Sequence, residues 1–498
     1  NIGNTYKDLG NFKKSVENYK KAIFLNNNYA DAYFNLGVIY QENNIYDEAK
    51  NCYLKVKKIN KNFNYIDGKI LHNNMNLCSW DNFKRDLDQI DILIENKKKI
   101  IEPFPYISVS NNLKKNKKVT EDFINCSFEF NKRYIKKKRN GKKIKIAYFS
   151  PDFSDHPVLR LMIDTFKNHN KSKFDFYAFS FGNKKKTKLH FEAKQYFKKF
   201  IYINNLNNEE VMKICDNLNI DIAIDLCGLT AENRIGLFAN KIAPVQINYL
   251  GYPGTSGADF MDYIIADENI IPNNFFSGYS EKILYLPNCY QSNSEKEIIY
   301  NKEFLKSDFG LPDNQFIFCN FNNHNKITPH IFSAWMEILS KVEKSIFWLY
   351  VNNKTAQKNI ILEAKKRGIK KNRIFFAEKL EHSKHLKRLS IADLFLDTFP
   401  YNAHTTGSDA FRMNLPLLTI KGETFPSRVL ASILQSNNLE ELIKTNFKDY
   451  ILTAVKFATD KNEYKKIKSK VMEQKNKSLL FKNKKFTFEL EKIYESLV

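Results

Sequence analysis

The sequence predicts an all-α repeat segment followed by two Rossmann-like α/β domains that face each other. Two observations lead to this fold class. The first 64 residues repeat with a period of 34, and from residue 144 short apolar runs alternate with amphipathic stretches of helical length. Apolar strands that alternate with helices form parallel sheets covered on both faces. The alternation stops at a polar interval around 292–310 and then resumes, which divides the α/β part in two.

The amino-terminal repeat has the length and residue pattern of tetratricopeptide repeats. Gly3 and Tyr19 recur 34 residues later as Gly37 and Tyr53. Such repeats are helix pairs that are stabilised by stacking on their neighbours. Because the chain begins at Asn1, inside a repeat, we expect further repeats upstream and a role in binding proteins.

These patterns divide the chain into four parts. We assign residues 1–64 to the repeats, 65–140 to a helical connector and a Lys-rich linker, 141–300 to the first Rossmann-like domain and 301–498 to the second. Basic runs at 114–118 and 136–143 predict an irregular, solvated linker. Strands are predicted at 144–150, 174–181, 200–203, 220–226, 245–251, 316–322, 346–352, 374–378, 394–398 and 415–420.

Composition restricts the possible partners and location. The formal charge of +24 comes from lysines spread along the chain, which favours a solvated basic surface over a focused nucleic-acid site. The seven cysteines are scattered without a CxxC pair, as in proteins of a reducing compartment. No apolar run reaches the ~18 residues of a membrane span. We therefore expect a cytoplasmic protein, also nuclear if the chain is eukaryotic, and leave its oligomeric state open.

The segment LDTFPYNAHTTGSDA (396–410) carries the strongest chemical signal. A predicted strand is followed by a tight turn and a helix that begins near Thr405, Thr406 and Gly407. A helix start offers free backbone N–H groups and the positive end of the helix dipole, which attract phosphate. Thr406 and Asp409 also have the spacing of a helix N-cap, and a capping role alone is the alternative interpretation.

Two further loops follow predicted strands. Lys326, in FNNHNKITP, comes after one strand and before a helix that opens at Thr328-Pro329, where it could neutralise phosphate charge. His156, in SPDFSDHP, lies at the end of the strand at 144–150. An ordinary exposed lysine and a structural histidine are the alternatives. The sequence contains no Walker A, HExxH or GxGxxG motif, and we predict neither a metal nor a cofactor.

Taken together, these segments resemble the O-linked N-acetylglucosamine transferase family, including its bacterial-type members. The resemblance runs through segments in the family's order: SPDFSDHP (150–157), APVQINYLGYPGTSGADFMDYIIAD (243–267), YSEKILYLP (279–287), FCNFNNHNKITP (318–329), IADLFLDTFPYNAHTTGSDA (391–410) and GETFPSRV (422–429). It implies a GT-B fold after a tetratricopeptide superhelix. It also implies transfer of N-acetylglucosamine from UDP-GlcNAc to Ser or Thr hydroxyls of proteins, with inversion and without a metal.

The resemblance also implies roles for residues around the donor diphosphate. Lys326 would stabilise the departing phosphates of UDP, and Thr405 and Thr406 would hold the diphosphate with His404 beside them. Asn323 stands where some relatives have a Gln that contacts phosphate.

For the rest of the substrate, the resemblance implies that His385 lies near the uracil and Asp409 binds the ribose. His156 would lie near the sugar and the acceptor. It is the candidate general base by residue type, with a donor phosphate oxygen as the alternative base. The repeats would present protein or peptide acceptors.

The sequence departs from the family pattern at Cys227, Leu229, Ile242 and Tyr401. These positions bear on the choice of donor sugar and acceptor. His404 favours UDP-GlcNAc over the GDP-fucose used by SPINDLY-type relatives, which carry a threonine there. Two alternatives therefore stay open: a non-catalytic repeat scaffold with a degenerate transferase domain, and a related transferase with another donor sugar, such as GDP-fucose or a UDP-hexose.

Overall fold

The computed structural model describes residues 2–96, 99–128, 141–182 and 185–498. Its amino-terminal segment consists of α1 (Ile2–Asp8), α2 (Phe12–Leu25), α3 (Ala30–Glu42) and α4 (Tyr46–Ile59). The repeated glycine lies where two helices of a pair touch. A Cβ atom on Gly3 would lie 2.8 Å from the ring of Tyr19, and one on Gly37 would lie 2.7 Å from the ring of Tyr53. Close helix contact thus explains why glycine and tyrosine recur together.

Helices also form the connector: α5 (Ile66–Asn76), α6 (Phe83–Asn96), α7 (Pro103–Ile107) and α8 (Leu113–Ser127). The prediction of an irregular linker at 114–118 is wrong, because these residues form the first turns of α8. Asn112 caps that helix by accepting a hydrogen bond from the backbone of Lys115 at 3.0 Å, and Asn116 on the same turns is buried. The second basic run, 136–143, lies outside the described residues except for its last three positions.

The first α/β unit contains a seven-stranded parallel sheet in the order β3-β2-β1-β4-β5-β6-β7. Its strands are β1 (Ile144–Ser150), β2 (Phe174–Ser180), β3 (Lys199–Tyr202), β4 (Ile222–Asp225), β5 (Val245–Asn248), β6 (Tyr263–Ala266) and β7 (Lys282–Tyr285). Three helices follow its first strands: α9 (Pro157–Asn168), α10 (Lys188–Lys194) and α11 (Asn208–Leu218). The central strands are buried along almost their whole length, as expected for a sheet covered on both faces.

The second α/β unit contains a six-stranded parallel sheet in the order β10-β9-β8-β11-β12-β13. Its strands are β8 (Phe316–Asn320), β9 (Ser345–Tyr350), β10 (Ile374–Ala377), β11 (Leu394–Leu396), β12 (Leu417–Ile420) and β13 (Ile443–Lys444). Its helices are α12 (Pro329–Lys341), α13 (Lys354–Lys366), α14 (His382–Leu389), α15 (Thr405–Arg412), α16 (Val429–Gln435), α17 (Phe447–Thr459) and α18 (Lys461–Lys477).

The last helix, α19 (Asn483–Ser496), returns to the first unit. The Nδ1 atom of His169 lies 2.9 Å from Oε1 of Glu491. The hydroxyl groups of Tyr148 and Tyr494 are 3.0 Å apart. All four side chains are buried. Because these hydrogen bonds are sheltered from water, they fix α19 on the first unit and tie the end of the chain to its middle.

The connector touches both units. On the second unit, the ring of Trp80 packs against that of Phe332, with centroids 5.1 Å apart. On the first unit, Lys117 of α8 donates a hydrogen bond to the carbonyl oxygen of Tyr279 at 3.1 Å. Gly257 lies so close to α8 that a Cβ atom there would be 2.7 Å from the backbone nitrogen of Glu121. The connector therefore belongs to the frame that holds the two units together.

The ten predicted strands are all confirmed, with ends that differ by a few residues. The sequence reading did not predict β6, β7 or β13, which have four, four and two residues. Length alone does not explain this, because the three-residue β11 was predicted as part of a longer apolar run. The place of β6, β7 and β13 in the sheet comes from the strands beside them. Among the described helices, none is both long enough and apolar enough to cross a membrane.

Replacing Gly37 with Ala tests the contact that explains the repeat. The added methyl group would meet the fully buried ring of Tyr53, and we expect a loss of about 1–3 kcal/mol in local stability. Hydrogen–deuterium exchange of α3 and α4 measures this loss. The control Asn35→Ala, on the same helix at a partly exposed position, should leave exchange nearly unchanged. Equal protection in Gly37→Ala and wild type would contradict the interpretation.

Candidate active site

The predicted site loops meet at the point where strand order reverses in each sheet. In the second sheet β8 and β11 are neighbours, although β9 and β10 come between them in sequence. Their following loops carry Lys326 and the segment before α15. In the first sheet β1 and β4 have the same relation, and His156 follows β1. Crevices for ligands form at such reversals, beyond the carboxyl ends of the strands.

The turn between β11 and α15, here called the α15 turn (residues 397–404), folds around the buried carboxyl group of Asp397. Oδ1 accepts hydrogen bonds from the backbone N–H groups of Thr398 at 2.8 Å and Ala403 at 2.7 Å. Oδ2 accepts one from the hydroxyl of Thr419 at 2.6 Å. Burial raises the pKa of Asp397 to about 6, although these hydrogen bonds oppose the shift. The carboxyl group therefore fixes both ends of the turn.

Helix α15 begins at Thr405, with His404 as the N-cap residue and no side-chain cap. The predicted N-cap at Thr406, with Asp409 as its partner, is therefore wrong. Thr405 and Thr406 occupy the first two helical positions, where backbone N–H groups have no partner within the helix. Both are partly exposed. Gly407 lies beside Leu430, whose side chain would be 2.9 Å from a Cβ atom at that position. The helix start is thus open to an anion.

Lys326 ends a short 3-10 turn formed by residues 324–326. Its Nζ donates a hydrogen bond to the carbonyl oxygen of Asn402 at 3.2 Å and lies 3.7 Å from the ring centroid of Tyr401. Burial lowers the pKa of Lys326 to about 7, and the nearby carboxyl group of Asp397 opposes this shift. The structure thus brings Lys326 to the α15 turn, as the sequence predicts.

The connector supports the turn that carries Lys326. His324 is buried, and its Nε2 lies 2.9 Å from the carbonyl oxygen of Asn76 at the end of α5. Burial lowers the pKa of His324 to about 4. The neutral ring therefore donates this hydrogen bond through Nε2–H. A residue from the connector thus fixes the loop that presents Lys326.

Asn322 is a site residue that sequence reasoning missed. Its side-chain amide donates hydrogen bonds to Asp397 at 3.2 Å and to the hydroxyl of Thr398 at 2.7 Å. Its carbonyl oxygen accepts a hydrogen bond from the hydroxyl of Thr406. Asn323, the predicted phosphate contact, is exposed at the start of the 3-10 turn. The available signal was a polar residue within two positions of the end of an apolar strand, as for Asn322 after β8 and Asp397 after β11.

His385 lies on α14, and Asp409 lies on α15. Nδ1 of His385 accepts a hydrogen bond from Nε of Arg388 at 2.9 Å. Burial lowers the pKa of His385 to about 3, so the ring is neutral. Burial also raises the pKa of Asp409 to about 7. The negative charge of Glu297 adds to this shift, and the positive charge of Arg412 opposes it.

A groove of about 620 Å³ between the two units borders this region. Its lining includes Arg160 of α9, Glu297 of the connection between the units, and His382 at the start of α14. Nε2 of His382 lies 3.7 Å from Oε2 of Glu297. Arg160 is close enough to lower the pKa of Asp409. The groove therefore opens beside the predicted ribose position and has charged walls from both units.

His156 lies on the first-unit side as the N-cap of α9. Its Nδ1 accepts a hydrogen bond from the backbone of Val158 at 3.4 Å and is 3.4 Å from Oδ2 of Asp152. Its ring is thus held by its own loop, partly exposed. Across the interface, Gln291 donates a hydrogen bond to the hydroxyl of Ser408 on α15 at 3.0 Å. The first unit therefore helps to orient the helix.

Comparison with known proteins identifies relatives of both parts of the chain. Residues 115–304 and 293–490 match the glycosyl transferase family 41. Residues 3–44 and 30–63 match tetratricopeptide repeats. The fold matches a mutant of the Thermobaculum terrenum O-GlcNAc transferase, with a TM-score of 0.83 and 18% identity over 100% of this chain and 96% of that one.

Two curated relatives are transferases by name. One is the probable UDP-N-acetylglucosamine–peptide N-acetylglucosaminyltransferase SEC of Arabidopsis thaliana, 30% identical over 72% of this chain and 38% of its own length. The other is the UDP-N-acetylglucosamine–peptide N-acetylglucosaminyltransferase of Caenorhabditis elegans, 24% identical over 83% of this chain and 47% of its own length. The chain spans less than half the length of these relatives.

Replacing Asp409 with Asn tests the burial of this carboxyl group. Because its pKa is raised to about 7 in the folded protein, wild type gains stability from this group as the pH falls through 7 and loses it as the pH rises. In the absence of nucleotide, we expect Asp409→Asn to be more stable than wild type at about pH 8.5, by a margin that shrinks at about pH 5.5.

Urea denaturation at both pH values measures this margin. The control Asp313→Asn changes an exposed carboxyl group and should stay within about 0.5 kcal/mol of wild type at both. An Asp409→Asn protein that gains relative stability toward low pH would contradict the assignment.

Proposed function

Because this chain belongs to the glycosyl transferase family 41, we propose that it transfers N-acetylglucosamine from UDP-GlcNAc to Ser or Thr hydroxyl groups of proteins. The names of its relatives in Arabidopsis thaliana and Caenorhabditis elegans give this donor and peptide acceptors. The observation that carries the proposal is the position of Lys326, whose ammonium group lies 3.2 Å from the carbonyl oxygen of Asn402 in the turn that opens α15.

This arrangement suits departure of a diphosphate. As the bond between the sugar and UDP breaks, negative charge grows on the terminal phosphate, and fixed positive groups stabilise that charge best. Lys326 supplies an ammonium group, and the start of α15 supplies the backbone N–H groups of Thr405 and Thr406 and the hydroxyl of Thr405. A bound diphosphate would favour the charged form of Lys326 and raise its pKa from about 7.

The nucleoside would extend from the diphosphate along α15. Asp409 lies one helical turn beyond Thr405 and Thr406, and its carboxylate could accept hydrogen bonds from two neighbouring ribose hydroxyls. The ring of His385 lies on the adjacent helix α14 and would border the base. The groove between the units has room for this part of the donor. His404, next to the diphosphate, supports UDP-GlcNAc over GDP-fucose.

The acceptor would approach from the first unit. An attacking hydroxyl must lose its proton, and His156 is the candidate base on that side of the cleft, with a phosphate oxygen of the donor as the alternative. The repeats would hold the protein that carries the hydroxyl. All seven cysteines are free thiols, which supports a reaction in the cytoplasm, or also in the nucleus of a eukaryotic cell.

Replacing Lys326 with Met tests the leaving-group role. Loss of the ammonium group should reduce transfer at least ~100-fold and remove most of the rise in melting temperature that UDP gives the wild type. Lys444→Met is the matched control, because Lys444 is also a partly buried lysine with a lowered pKa but lies on β13 at the sheet edge.

The measurements are product formation from UDP-GlcNAc and thermal shifts with UDP and GDP. Full transfer by Lys326→Met would contradict the role of the lysine. A larger shift with GDP than with UDP would contradict the proposed donor.

A second test concerns metal ions. Since Lys326 and the start of α15 would supply the positive charge at the diphosphate, we expect transfer to continue at its full rate in excess EDTA. A loss of activity in EDTA that Mg²⁺ or Mn²⁺ restores would show that a divalent cation carries part of the charge.

A further inference from the structure

The groups that directly contact the ammonium group of Lys326 are neutral. Its ammonium group contacts the ring face of Tyr401 at 3.7 Å from the centroid and the carbonyl oxygen of Asn402 at 3.2 Å. Among the described residues, no carboxylate lies within ion-pair distance of it, and the buried carboxyl group of Asp397 acts on it from farther away. A cation within about 6 Å of an aromatic centroid is attracted by the ring. The face of Tyr401 is therefore a direct partner of Lys326.

The ring of Tyr401 packs against the first unit and the connector, and also against His404 of its own turn, whose ring centroid lies 4.8 Å away. Its backbone belongs to the α15 turn, where its carbonyl oxygen accepts a hydrogen bond from the hydroxyl of Thr398 at 2.6 Å. Its side chain is buried in an apolar cluster with Tyr252 and Leu229. Apart from Tyr401, the described members of that cluster come from the connector and the first unit. The ring of Phe104, on α7, meets it edge-on at 6.2 Å.

This cluster brings together two departures from the family pattern. Leu229 follows β4 in the first unit, and Tyr401 follows β11 in the second, yet both pack in one apolar environment. The apolar environment of the Tyr401 ring is therefore built from loops of both units.

We propose that Tyr401 is a positioning residue that presents the ammonium group of Lys326 to the donor diphosphate through its ring face. The first unit and the connector hold that ring in place. The second unit carries Lys326, and the first unit and the connector help to fix where its charge lies. This role rests on the proposed function, because it assumes that Lys326 receives the diphosphate.

Simple filling of the interface is the competing explanation for a buried tyrosine. Two substitutions separate the explanations. Tyr401→Phe keeps the ring face and removes only the hydroxyl. Tyr401→Met keeps an apolar, adaptable side chain in the cluster but removes the face. Filling alone predicts that both variants lose stability without a specific effect on Lys326.

The first experiment observes Lys326 in the free protein. The protein is labelled with ¹³C at the lysine ε-carbon. The NMR signal of Lys326 is assigned as the one that is missing from the spectrum of Lys326→Met. A nearby ring face should shift its ε-protons upfield. We expect that shift to persist in Tyr401→Phe and to disappear in Tyr401→Met. Persistence in Tyr401→Met would overturn the proposal without any reference to substrate.

The second experiment measures UDP binding by calorimetry, or by ligand-observed NMR for weak variants. We expect Tyr401→Phe to bind within about twofold of wild type, and Tyr401→Met to bind about three- to tenfold more weakly. In a Lys326→Met background, Tyr401→Met should add no further loss, because the contact is already absent.

Three results of the binding experiment would overturn the proposal: unchanged binding in Tyr401→Met, an equal loss in Tyr401→Phe, or the same loss in the Lys326→Met background. Absence of UDP binding by wild type would instead refute the proposed function and this role with it. Because the upfield shift is measured without UDP, it tests the contact between Tyr401 and Lys326 separately from the proposed function.

Discussion

The buried carboxyl group of Asp397 holds three segments of the second unit in one place. It accepts hydrogen bonds from the backbone of the α15 turn, from the hydroxyl of Thr419 on β12, and from the amide of Asn322 after β8. Burying a carboxyl group is unfavourable unless such donors surround it. Because the donors come from three separate segments, the geometry of the candidate site depends on this one group.

The candidate site depends on both α/β units and on the connector. Lys326 and the start of α15 come from the second unit, but His324 beside Lys326 is fixed by Asn76 of the connector. The first unit also contacts α15, because Gln291 donates a hydrogen bond to the hydroxyl of Ser408 on that helix. The connector in turn packs against the repeats, where Asn73 donates a hydrogen bond to the carbonyl oxygen of Tyr46 at 2.9 Å. A protein bound to the repeats would thus lie on a framework continuous with the site.

In the ligand-free site, burial disfavours the charged forms of two side chains. Burial lowers the pKa of Lys326 to about 7 and raises that of Asp409 to about 7. In both side chains, burial therefore favours the neutral form. Groups shifted in this way are typical of functional sites, because a ligand of the right charge and hydrogen-bonding pattern relieves the unfavourable burial. A ligand gives no such relief to a structural ion pair, because the two charges of the pair already compensate each other.

The sequence alone determined features that depend on local pattern. The glycine–tyrosine period of the repeats, the ten apolar strands and a helix start near residues 405–407 were all predictable, because each is set by residues close together in the chain. The placement of Lys326 beside the α15 turn followed from one further rule, that neighbouring parallel strands present their loops at one edge.

Tertiary structure decided what depends on distant residues. His404, and not Thr406, is the N-cap of α15, because Asn322 engages the hydroxyl of Thr406 from another loop. The lysines at 114–118 are helical because the helix that carries them packs against α6, α7 and the first unit. Tyr401 and Leu229 share one apolar cluster although they are far apart in sequence. No local pattern encodes such contacts, since they form only when the two sheets and the connector come together.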